Sequence, residues 1–181
     1  MRVCRGCKYA EDGSLFEFEL FTNEGNTRRE AVGRIVQEQL AALGIVVNFR
    51  TADFWTLVAN MQTYDAYIYG WVNGFPDDPD QMWLFGPGSD FPSDQGSINA
   101  SSYYSPEFDR LSEKARTLPG CDRAGRATLY HQIERLLQED QPYLWLYATN
   151  ELYAAHTDVV GFDPQPNMPW WNIHTWQVSG P

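Results

Sequence analysis

The stretch "LFEFELFTNEGNTRREAVGRIVQEQLAALGIVVNF", residues 15–49, carries two strand patterns on either side of one helix pattern. Over 15–22, Leu15, Glu17, Glu19 and Phe21 alternate with Phe16, Phe18 and Leu20, the period of a half-exposed strand. Thr27 and Glu30 stand three apart, as a capping box requires, and open a helix. Its apolar face is Val32, Ile35, Val36, Leu40 and Leu43, and Gly44 closes it. The β-branched run 45–49 follows at once. Two strands joined by a helix imply parallel pairing through a right-handed crossover, hence an α/β fold.

Downstream, Asp53 caps a short helix carrying Phe54, Leu57, Val58 and Met61, and "AYIYGW" at 66–71 reads as another strand. That strand delivers "GWVNGFPDDPDQMW", residues 70–83, at its end. No sustained period appears from Asn73 to Tyr104, although 80–85 can form one helical turn, and an irregular stretch of this length marks a functional loop region. Within it Asp78 reads as a helix N-cap with Pro79 at N1. Ser105-Pro106 starts a helix using Phe108, Leu111, Ala115 and Leu118, stopped by Pro119-Gly120. Asp122 opens a longer helix with the stripe Ala127, Tyr130, Ile133 and Leu137, ended by Pro142. "YLWLYAT" then predicts a buried strand with "ELYAAH" paired alongside, and residues 157–181 read as an extended tail laid over something else. The whole is one α/β unit with a mixed sheet.

The formal net charge of −11 repels phosphate backbones and anionic surfaces, which argues against nucleic acid as a partner. No apolar run approaches the roughly 18 residues that span a bilayer. The opening residues "MRVCRGCKYAEDG" lack the apolar region of an export signal, as in a cytosolic protein or a piece of a longer precursor. Cys4 and Cys7 form a C-x-x-C outside the strand-to-helix context of redox motifs, and no second pair completes a zinc site with them. In an exported protein one of these two thiols can bridge to Cys121. His131, His156 and His174 are scattered and suggest no metal, and no cofactor motif is present. Aromatics at 15%, set beside acids and amides, suit a cleft for polar organic ligands.

Five segments stand in a telling order: "FELFTNEGNTRREAVGRIVQEQLAALGIVVNF", "YDAYIYGWVNGFPDDPD", "NASSYYSPEFDRLSEKA", "RATLYHQIERLLQEDQPYLWLY" and "VVGFDP". Together, over roughly residues 12–165, they resemble the C-terminal lobe of the dipeptide/oligopeptide/nickel-binding receptors of ABC importers, the extracellular solute-binding proteins of family 5. The resemblance implies a type II periplasmic-binding-protein-like fold, with residues 1–181 as a single lobe of a two-lobe receptor and 157–181 packing on the other lobe. It implies extracytoplasmic location, lipid-anchored or membrane-associated in the full-length protein, and delivery of a peptide or small polar solute to ABC permease subunits. It implies no catalysis.

The resemblance also places "GWVNGFPDDPD" at the cleft, with Trp71 or its neighbour Tyr69 stacking on ligand and Asn73, Phe75 and Asp77 as further contacts; Asn99, from the polar "NASSYY" of the irregular stretch, is expected to fold back over the cleft as another. Peptide-binding relatives carry an amine-anchoring Asp about three residues after the Trp, where this sequence has Gly74. Either Asp77 takes that role or the ligand lacks a free amine. Two alternatives use the same inventory: a glycoside hydrolase or carbohydrate-binding domain built on Asp77, Asp78 and Asp80 beside Trp71 and Trp83, or a small protein-interaction module. The first is weakened because adjacent acids on one loop seldom face each other across a substrate.

Overall fold

The computed structural model describes residues 6–72, 78–90, 98–166 and 168–180. β1 (Glu17–Asn23) lies between β2 (Val46–Ala52) and β3 (Ala66–Tyr67), giving the order β2-β1-β3. Both pairings are parallel, with Glu17 opposite Val46 and Leu20 opposite Ala66. The predicted crossover helix is α1 (Thr27–Ala42). Its cap sits one residue earlier than the capping box places it. Asn26 is the N-cap and accepts from the Arg29 N–H, while the Glu30 carboxylate accepts from the Gly25 N–H. Asparagine caps at least as well as threonine, so Thr27 becomes the first helical residue. Gly44, at φ +81°, ends the helix in the left-handed region as read.

One face of the sheet packs under α1: Leu20, Val47 and Ile68 are buried against Val32, Val36, Leu40 and Phe49. Gly33 is buried there because the Phe49 ring occupies the place of its missing Cβ. Ile35 and Leu43, predicted on this face, are exposed; the narrow sheet covers only the middle of the expected stripe. The other face is covered only towards the end of β1, while Glu17 is exposed and the Glu19 side chain stays partly open, so β1 is half-exposed as read. Phe21 stacks on Tyr64 at 4.0 Å, and Leu57, Met61 and Ala100 bury behind them, with Leu57 supplied by α2 (Phe54–Ala59). Asp53 caps α2 as expected.

A second core holds α4 (Pro106–Arg116), α5 (Arg123–Asp140) and the single-turn α3 (Met82–Phe85). Ser105 and Asp122 cap α4 and α5 as predicted. Leu84, Phe85, Phe108, Leu111, Ala115, Leu129, Tyr130, Ile133 and Leu137 are buried together. Leu129 replaces the predicted Ala127, which faces solvent.

Three expectations fail in the last forty residues and at the cysteines. Residues 144–156 form no strand, and Leu144, Trp145, Leu146, Tyr147 and Leu152 are exposed, Leu152 at 93%. Strand propensity is realised only by pairing, and none of the described strands pairs with this segment. Residues 157–180 fold on themselves instead of running as a tail. β4 (Val159–Val160) pairs antiparallel with β5 (Gln177–Val178). Asn172 ties this unit together, donating to the Gly161 carbonyl at 2.7 Å and accepting from the Trp176 indole at 2.8 Å. Parallel and antiparallel pairing are thus both present, in separate sheets. Cys7 is disulfide-bonded while Cys121 is a free, exposed thiol, so the bridge to Cys121 is not made.

Candidate ligand-binding site

Parallel strands β1 and β3 end at the same edge, at Asn23 and Tyr67, and the C-terminal edge of such strands is where open α/β sheets hold ligands. The chain stays extended beyond β3 because β1 continues to hold it. Ile68 N–H donates to the Phe21 carbonyl at 2.7 Å, and the fully buried Thr22 hydroxyl donates to the Ile68 carbonyl at 3.0 Å. Tyr69 and Trp71 are therefore carried on a braced segment, as a recognition group requires.

From there a row of rings crosses the surface. Trp55 meets Phe54 at 5.1 Å, Phe54 meets Tyr69 at 6.2 Å, Tyr69 meets Trp71 at 5.1 Å, and Trp71 meets Trp83 at 5.4 Å. Trp71 is 38% exposed and Trp83 40%, so each offers part of its ring to solvent. Behind Trp71 lies Tyr143, whose hydroxyl pKa is raised by burial, with the Trp71 indole N–H acting in the opposite sense. Burial also pushes up Tyr67, with Tyr143 adding to the effect. Both hydroxyls keep their protons at neutral pH.

Arg29 joins the row from α1. Its guanidinium carbon lies 4.7 Å from the Tyr69 ring centroid, and Nη1 donates to Asn23 Oδ1 at 2.7 Å. Gly70 permits the approach, since a Cβ there would stand 3.2 Å from Arg29 Nη2.

The acids of the loop are used otherwise. Asp78 accepts from Arg126 Nη2 at 2.9 and 3.0 Å and from the Asp80 N–H at 2.9 Å. Asp80 accepts from the Met82 N–H at 3.1 Å and pairs with Arg116 Nε at 3.4 Å. They brace α3 against α4 and α5. The predicted Asp78–Pro79 cap is displaced, because α3 starts at Met82 with Gln81 as its N-cap.

Of the predicted contacts, the structure brings Tyr69 and Trp71 together at this edge, while Asn73, Phe75 and Asp77 lie outside the described residues. Asn99 is elsewhere. It is 0% exposed, donates to the Tyr103 and Phe85 carbonyls, and accepts from the Tyr103 N–H and the Ser101 hydroxyl. Its amide is spent on fixing its own turn, which leaves nothing to present to a ligand. Phe54, Trp55 and Arg29 were not anticipated at the site. The adjacent rings after the Asp53 cap were the available signal for the first two; a cation held over a ring forty places away by chain order has none.

Residues 6–93 match the family model described as bacterial extracellular solute-binding proteins, family 5 middle. The chain belongs to this family. It is 34% identical over 176 residues to the oligopeptide-binding protein AppA of Bacillus subtilis, covering 93% of this chain and 30% of the relative. The structure of AppA from Bacillus subtilis with a nonapeptide superposes with a TM-score of 0.75 at 31% identity, covering 97% of this chain and 34% of that one. Di/tripeptide-binding protein 2 of Pseudomonas aeruginosa is 28% identical over 78% of this chain and 26% of its own length. NikZ of Campylobacter jejuni, solved with Ni(L-His), shares the fold at a TM-score of 0.70 and 21% identity, covering 95% of this chain and 36% of that one. The α/β architecture is that of type II periplasmic binding proteins. The chain spans between about a quarter and a third of the length of these relatives.

Proposed function

We propose that this chain is the C-terminal lobe of an extracytoplasmic receptor that binds peptides for an ABC importer, and that it supplies one wall of the ligand cleft. The observation that carries this reading is the open row Tyr69–Trp71–Trp83 at the C-terminal edge of the sheet, in a chain similar to a receptor solved with a nonapeptide. Aromatic faces grip extended peptides because they bury large area at small conformational cost. Asn73, Phe75 and Asp77 belong to the same segment and are assigned to the same wall. The exposed apolar residues of 144–156 support a second lobe that covers them.

Binding is a closure: ligand touches both lobes, the closed state gains the difference in binding free energy, and permease subunits read that closed shape. The receptor is held at the outer face of the membrane, by a lipid anchor or by its partners. The hydrolase reading finds no support at Asp78 and Asp80, whose carboxylates are engaged by arginines on α4 and α5.

Calorimetry tests the division of labour. The full-length receptor binds oligopeptides, while the isolated 181-residue lobe binds them far more weakly, because half of the burial and of the hydrogen bonds are missing. Equal affinity of the two would refute the one-wall reading.

A further inference from the structure

Phe54 and Trp55 stand at the outer end of the ring row and contribute little to the fold. α2 buries Leu57 completely and packs Val58 against the same cluster, whereas neither Phe54 nor Trp55 is among the described residues of a core. Trp55 is 76% exposed and Phe54 41%. A single exposed ring is ordinary on a protein surface. Two adjacent rings that continue a partly open row are a different matter, because contiguous apolar surface marks a place that something else covers.

Both rings are held at the ligand edge. α2 starts directly after β2, so its first turn stands at the same sheet edge at which β1 and β3 end. The Asp53 carboxylate fixes that turn by accepting from the Thr56 N–H at 3.0 Å. Phe54 follows β2 and Tyr69 follows β3, so their contact crosses the end of the central strand, and Trp55 stands edge-on to Phe54 at 80°. The steps from Trp71 to Tyr69, Phe54 and Trp55 measure 5.1, 6.2 and 5.1 Å and together reach at most about 16 Å. An extended peptide advances roughly 3.3 Å per residue, so this reach matches about five residues.

We propose that Phe54 and Trp55 form an outer subsite for apolar side chains of the bound peptide, beyond the residues that lie on Trp71 and Trp83, and that the receptor selects by peptide length through it. This rests on the reading of the chain as a peptide-receptor lobe. A tripeptide held at Trp71 ends before Trp55, whereas a peptide of six or more residues covers it. Trp55 is the specificity-determining residue, since burial of its open ring is a gain that only the longer ligand makes.

The test is calorimetric titration of the full-length receptor with alternating alanine–phenylalanine peptides of three, four, six and eight residues, a form without detectable binding entering at the detection limit. For the unaltered receptor, the eight-residue form binds at least about tenfold tighter than the three-residue form. Trp55→Ala cuts that long-to-short ratio about tenfold, the loss expected when one aromatic contact is truncated. Trp55→Phe, which keeps a ring, retains part of it. Thermal melts of both variants match the unaltered receptor, because the ring they change is exposed in the folded lobe.

A long-to-short ratio that Trp55→Ala leaves unchanged overturns the proposal. With both affinities intact the ring is idle, and with both lowered alike it serves lobe closure and not the far end of the ligand. An unaltered receptor whose affinity does not rise with length overturns it as well. A receptor that binds none of the peptides overturns the peptide reading itself, an outcome distinct from tight binding of all lengths alike.

Discussion

Two groups of rings in this chain have nearly the same mutual geometry and opposite exposure. In the helical core, Phe85 sits edge-on to Tyr103 at 5.8 Å and to Phe108 at 6.1 Å, and Phe85 and Phe108 are 1% and 0% exposed. At the sheet edge, Tyr69, Trp71 and Trp83 meet edge-on at 5.1 and 5.4 Å but remain partly open to solvent. Edge-to-face contact is what ring quadrupoles prefer in either setting, so it does not distinguish a core from a binding wall. The difference is that α4 and α5 close around the first group and no described element closes over the second. The first group stabilises the fold, and the second keeps contact area in reserve for something outside the chain.

Substitutions that strike one group and spare the other sharpen this contrast. The largest effect falls on the closed group: Phe108→Ala costs about 3–5 kcal/mol of stability in urea titrations, since the cavity cannot be refilled. Trp71→Ala leaves stability nearly unchanged but weakens peptide binding by the full-length receptor by about thirtyfold or more, the loss expected of a central aromatic anchor. If the two variants behaved alike, the contrast would collapse. Asn99→Ala lowers stability by about 1–3 kcal/mol through the backbone groups it orphans, and leaves affinity unchanged in the folded receptor. Asp78→Asn has the smallest effect, within about 1 kcal/mol in thermal melts, because its ion pair with Arg126 is partly exposed. A large loss of affinity there would place Asp78 in the ligand site.

What sequence reading recovered here is what neighbouring residues decide. The β1–α1–β2 crossover follows from two short periods and a left-handed Gly44, and the caps Asp53, Ser105 and Asp122 were legible because each is read within three residues. The Asn26 cap was misplaced by one because Asn26 and Thr27 are both good caps and only the folded turn chooses between them. Residues 144–156 carry strand propensity without a strand, since pairing depends on an edge that no local pattern encodes. Trp71 was legible as a candidate from its place at a strand end. Asn99 misled because a polar residue in an irregular loop looks the same whether its amide faces solvent or its own backbone. Arg29 over Tyr69 is a tertiary contact between α1 and the segment after β3, invisible until the parallel sheet sets them side by side.

A crystal structure of the full-length receptor with a bound oligopeptide tests the central claim most directly. The account predicts peptide lying against Tyr69, Trp71 and Trp83, sandwiched between this lobe and another. Finding those rings capped by the receptor's own chain, with peptide held at some other surface, would contradict it.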